Sequence, residues 1–146
     1  MDKVEEKISF VIPIAVTNDM KASPVLVYET ESVSKLDMAF GIYFIGLKAN
    51  HPYYVAIEVT DHDDDVVTNK PESLPTVQRF TVSESRDGER IVSASLKVNF
   101  TEIDIKTLGI YQVEAVLFDG ETSFPLDRKH AYFDVQTPGV IRDDFR

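Results

Sequence analysis

The run Asp61-His62-Asp63-Asp64-Asp65 is the densest group of chemically competent side chains in this sequence. Six acids and a single lysine fall between Glu58 and Glu72. Taken as a twelve-residue calcium loop, the run puts Asp61, Asp63 and Asp65 at the first, third and fifth positions. Asn69 then stands at the ninth and Glu72 at the twelfth. Those are positions from which an EF-hand offers side-chain oxygens, and hard cations want carboxylates clustered in this way. Val66 stands where the sharp turn needs glycine, and Pro71 stands at the eleventh position. The flanks read as strand and loop, not as helices, so an EF-hand proper is excluded. Two readings remain. The preferred one is a solvated acidic loop that keeps a strand end from pairing. The other is a looser calcium site on the same residues.

Other chemistry finds less material. His51, His62 and His130 each stand alone in their segments, without an HxH or HExxH spacing. A transition-metal site would need two to four ligands converging from separate loops, with His62 beside Asp61 or Asp63 as the nearest approach to a pair. There is no cysteine and no GxSxG elbow, so neither a thiol nor an elbow-type serine nucleophile is present. The six glycines are isolated, so no phosphate-cradling loop is present either. An enzyme would require a site assembled from residues distant in sequence.

The elements that must position these residues are strands. Over 91–100, Val92, Ala94, Leu96, Val98 and Phe100 share one face. Over 108–118, Tyr111, Val113, Ala115 and Leu117 share one, and Asp119-Gly120 then breaks the run as a hairpin turn does. A period of two over such lengths predicts half-buried antiparallel strands. Residues 53–60 alternate in the same way, with Tyr53, Val55, Ile57 and Val59 inward and Tyr54 outward. Residues 38–47 are apolar on both faces, which suits a central strand, with Gly41 and Gly46 signalling a bulge or a close backbone approach.

Further strands are predicted over 8–16, 24–28, 77–82 and 129–135. In the first, Ile8, Phe10, Ile12, Ile14 and Val16 share a face, and Pro13 marks an edge or a bulge. Residues 85–89 read as a hairpin turn, and 101–107 as one turn of helix.

The count is seven to nine strands with no long helix. That predicts a single all-β domain, an antiparallel β-sandwich over 1–136, followed by a C-terminal tail over 137–146. Leu108-Gly109-Ile110-Tyr111 follows a polar connection and opens a strong strand. It resembles the tyrosine corner of immunoglobulin-like and fibronectin-like sandwiches. The paired cysteines and buried tryptophan of antibody domains are absent, so the resemblance implies a fold and no activity.

Composition narrows the function classes. At 146 residues the chain is long enough for one sizeable core. Its net charge of −10 opposes nucleic acid and anionic membrane surfaces as partners. The acidic N-terminus and the shortness of the apolar run at 8–16 argue against a secretory signal and a membrane span. The expectation is a soluble, cytoplasmic, non-catalytic binding or assembly module without cofactor, taking a protein partner or a second copy. A calcium-binding sandwich of adhesion or carbohydrate-recognition type on Asp61, Asp63, Asp65, Asn69 and Glu72 is the alternative, and an enzyme ranks third. The candidate interface residues are Tyr54 and, in the tail, Val140, Ile141 and Phe145.

Overall fold

The computed structural model describes residues 6–16, 23–31, 35–68, 77–83 and 91–138. Within them lie eight strands: β1 (Lys7–Ile14), β2 (Val27–Glu29), β3 (Lys35–Lys48), β4 (Pro52–Thr60), β5 (Val77–Thr81), β6 (Ile91–Asp104), β7 (Gly109–Asp119) and β8 (Pro125–Gln136). They form two sheets, β1-β3-β6 and β2-β8-β7-β4-β5. Every pairing is antiparallel except that of β2 with β8, which is parallel. In the lettering of immunoglobulin-like sandwiches, β1, β3 and β6 take the places of A, B and E. β4, β7 and β8 take those of C, F and G, and β5 lies beside β4 as C′ lies beside C.

The two alternating strands do what their period demands. Tyr111, Val113, Ala115 and Leu117 are all fully buried, and so are Tyr53, Val55, Ile57 and Val59 on the neighbouring β4. Opposite them, β3 is the middle strand of its sheet and buries Met38, Ala39, Phe40, Ile42, Phe44 and Leu47. Rings join the two layers. Phe133 from β8 packs against Phe40 from β3 at 5.6 Å, Tyr111 from β7 at 5.7 Å and Tyr28 from β2 at 5.3 Å. The Tyr28 hydroxyl lies 2.7 Å from the Ile14 carbonyl and 2.6 Å from that of Ala39, so β2 in one sheet is bonded to β1 and β3 in the other. Burial pushes its pKa up to about 12.

Two local expectations need correction. In β1 the register shifts between Ile8 and Phe10, so Ser9 is an extra residue and the faces swap. Ile8 and Val11 both point inward, while Phe10 turns out and stacks on Tyr43 at 4.5 Å. Residues 101–107 form no helical turn, because β6 continues to Asp104 through a bulge at which Glu102 takes φ 54°. The buried Ile103 and Ile105 hold that segment down. Residues 85–89, read as a hairpin turn, lie outside the described residues. The glycine signal in β3 falls at Gly46, with φ 72°, where the register slips between Phe44 and Leu47.

Candidate functional site

The acidic run begins where β4 ends. Thr60 bridges to Val66, and Val67 donates its N–H back to the Val59 carbonyl at 2.9 Å. The loop between is closed by its own first acid. Asp61 Oδ1 accepts the N–H groups of Asp63 and Asp65, each at 2.9 Å, and the Asp61 N–H donates to the Asp65 carbonyl. Asp61 is therefore buried, not solvated, which corrects the expectation of a uniformly solvated loop. Its oxygen does the work that Asx turns require of a short acidic side chain. Asp63, Asp64 and Asp65 remain exposed, and Asp64 takes φ 65° at the tip. Asn69 and Glu72 lie outside the described residues. Among the described residues no three or more His, Asp or Glu side chains gather as a metal would require.

This loop leans on the corner before β7. The Tyr111 hydroxyl donates to the Thr107 carbonyl four residues upstream, at 2.7 Å. That is the tyrosine corner the sequence resembled. Burial raises the Tyr111 pKa, and the nearby Asp61 and Asp63 add to the rise. Gly109 has φ 124°, and a Cβ there would lie 3.9 Å from the His62 ring, so the corner takes glycine for its backbone and then hosts His62 across it.

At the other end of the sandwich stands a cluster that the sequence reading missed. His51 Nε2 lies 3.1 Å from Asp119 Oδ2, and Nδ1 lies 3.8 Å from Glu121 Oε1. Asp119 Oδ1 also accepts the N–H groups of Glu121 and Thr122. These backbone donors, the Glu121 N–H first, hold its carboxyl below the usual carboxylate range, with His51 adding to the effect. The Gly120 N–H donates to the Pro52 carbonyl at 2.9 Å. Beside this, the Tyr53 hydroxyl accepts from the Lys48 N–H and donates to Glu6 Oε2, and burial raises its pKa. These bonds tie the turn between β7 and β8 to the turn between β3 and β4. The only signal in sequence was the Asp119-Gly120 turn, since His51 lies 68 residues away from its partner.

The feature best suited to a partner lies on the outer face of β2, β7 and β8. Leu26, Ile110 and Tyr132 are 75%, 58% and 57% exposed. With Val27, Phe133 and Asp134 they line a groove of about 250 Å³. Two of the three are turned outward by a buried neighbour. Ile110 precedes the inward Tyr111, and Tyr132 precedes the inward Phe133. Leu26 joins them because its carbonyl accepts the Asp134 N–H at 2.9 Å.

Tyr54, the outward tyrosine of β4, is occupied differently. It stacks on Phe118 across the β4–β7 pair at 4.8 Å, with the Arg79 guanidinium 5.3 Å from its ring. Such a pair stabilises a sheet. Val140, Ile141 and Phe145 lie outside the described residues. No helix among the described residues is long and apolar enough to cross a membrane.

No family model matches this chain, and no curated protein does. Solved structures similar in fold include the following two. One is a β-glucuronidase of Bacteroides uniformis, with a TM-score of 0.52 and 12% identity, covering 88% of this chain and 14% of that one. The other is a calcium binding mutant of Bacteroides uniformis β-glucuronidase 2, with a TM-score of 0.51, 12% identity and the same two coverages. This chain thus spans a small part of the length of the proteins it matches. At that identity the likeness establishes the β-sandwich and nothing of activity.

Proposed function

We propose that this chain is a non-catalytic binding module that seats an apolar segment of a protein partner in the groove of Leu26, Ile110 and Tyr132. The observation that carries the reading is the convergence on one concave surface of three large, exposed apolar side chains, one from β7, one from β8 and one from the residue just before β2. Single exposed apolar residues are ordinary, whereas a contiguous patch with an aromatic and a polar rim is the composition of an interface. Asp134 supplies that rim, and the chain carries a net charge of −10. A partner with basic residues flanking its apolar anchor fits both. The fold likeness to a short stretch of a much longer chain agrees with a modular role.

The test compares affinity capture from native lysate by the whole chain and by Ile110→Asp. Ile110 is exposed, so the substitution leaves the melting temperature unchanged. The expected result is a protein bound in stoichiometric amount by the unaltered chain and lost with Ile110→Asp. A partner retained at full yield by Ile110→Asp and by Tyr132→Ala would overturn the assignment.

A further inference from the structure

A β-sandwich leaves four sheet edges, and natural sheets blunt such edges with prolines, bulges, charges or brevity. Three of the four here are blunted. β1 carries Pro13 and the bulge at Ser9, and its Ile8 N–H is taken by Asp127 Oδ2 from β8 at 2.9 Å. β2 has three residues and β5 has five. β6 is the exception. It runs for fourteen residues, and among the described residues its only strand neighbour is β3. From Val92 to Phe100 it gains no extra residue, and from Ile91 to Thr101 it holds no proline, no glycine and one charge, Lys97.

A second observation concerns the inward face of the same strand. Val92, Val98 and Phe100 are buried, but Ala94 and Leu96 between them are only half-buried. Among the described residues the core is thus left partly open along the middle of an unblunted edge. A further strand alongside β6 would cover both side chains. Charge points to the source of that strand. In a chain of net charge −10, the strands β1, β3 and β6 together carry four lysines against three carboxylates. On β6 itself the window from Ile91 to Thr101 holds no carboxylate, so two acidic copies can meet there without facing acids.

We infer that β6 pairs antiparallel with β6 of a second copy about a two-fold axis at Leu96, joining the two three-stranded sheets into one of six. An axis perpendicular to the sheet keeps both inner faces on the same side. It sets Leu96 against its own counterpart, Ala94 against Val98, and Val92 against Phe100. On the outer face it sets Ser93 against Asn99 and Ser95 against Lys97, so no like charges meet. This surface is distinct from the groove, and the dimer stands or falls independently of the proposed partner.

The test is analytical ultracentrifugation of the purified full chain, with two substitutions at the exposed Ser95. Ser95→Lys sets like charges opposite each other twice and weakens the dimer by roughly tenfold in Kd. Ser95→Glu sets an acid opposite Lys97 twice and tightens it. Ile110→Asp, in the groove, leaves the dimer unchanged. A wild-type chain still monomeric at about 500 μM, where millimolar association begins to register, overturns the inference. So does a dimer indifferent to both changes at Ser95, which must then use another surface. Loss of captured partner with an intact dimer would bear on the groove alone.

Discussion

Replacing Tyr111 by phenylalanine removes one oxygen from the corner that precedes β7 and leaves the ring in place. The ring is fully buried and stacks on Phe133, so Tyr111→Phe creates no cavity. What is lost is the 2.7 Å bond from the hydroxyl to the Thr107 carbonyl. A net hydrogen bond contributes about 1 kcal/mol, and an acceptor left buried without its donor adds a desolvation cost of ~1–3 kcal/mol. The structure favours the middle of that range, since Thr107 is half-buried and solvent reaches part of the corner. We therefore expect a loss of about 2 kcal/mol, read as a fall of roughly 4–8 °C in Tm for a domain of this size. Differential scanning calorimetry with urea unfolding as a cross-check measures it. Tyr132→Phe serves as the control, since that hydroxyl lies on a side chain 57% exposed and its removal costs little. A Tyr111→Phe protein that melts with the wild type would show that the corner bond contributes nothing, and that the corner is held by Gly109 and the packing of the ring.

Four further outcomes follow from the same geometry. Gly120→Ala would bring a Cβ to 2.6 Å from the Pro52 carbonyl oxygen, a backbone atom, so the turn must shift; a loss of about 2 kcal/mol is expected on urea unfolding. Val113→Asp buries an unpaired charge at a fully buried position and costs roughly 3 kcal/mol or more, and an unchanged Tm would mean that the register of β7 is wrong. Tyr28 keeps its proton more tightly folded than unfolded, with a pKa of about 12 against 10.0. Its contribution is whole below pH 10 and is lost as pH rises toward 12, so stability followed by circular dichroism falls across that interval. Millimolar Ca²⁺ leaves Tm unchanged, because Asp61 Oδ1 already accepts two backbone N–H groups; a rise of several degrees, abolished by Asp63→Asn with Asp65→Asn, would restore the calcium reading.

What could be read from sequence was what depends on residues close together along the chain. The period of two in β4, in β7 and over Val92–Phe100 of β6 is set by the pleat, which decides which residues share a face wherever no bulge intervenes. The tyrosine corner spans four residues and was legible in Leu108-Gly109-Ile110-Tyr111 for the same reason. The bulge at Ser9 was not, since apolar side chains at 8, 10, 11 and 12 satisfy either register and only the pairing with β3 chooses between them. Asp61 was legible as an acid but not as a buried one, because its burial follows from the turn it closes. The groove depends on β2 lying parallel beside β8, a juxtaposition of residues more than a hundred apart. His51 and Asp119 meet across 68 residues, and neither segment alone announces the other. The calcium candidates Asn69 and Glu72 and the tail candidates Val140, Ile141 and Phe145 fall outside the described residues.

The ring cluster around Phe133 also has a meaning in time. Phe133, Tyr111, Phe40 and Tyr28 come from four strands, and only β7 and β8 can find each other by a short hairpin. β3 has β1 upstream as one partner, but its other partner, β6, begins only at Ile91, far along the chain from the end of β3 at Lys48. Closing loops of that length before any contact rewards them makes folding slow, in the range of milliseconds to seconds for sandwiches of this kind. The β7–β8 hairpin is then the piece that can form first and offer Tyr111 and Phe133 as a surface on which Phe40 condenses. Until that happens β6 has neither β3 nor a second copy beside it. The same bare strand that suits it to pairing in the finished protein is the segment most in need of rapid burial while the chain is still folding.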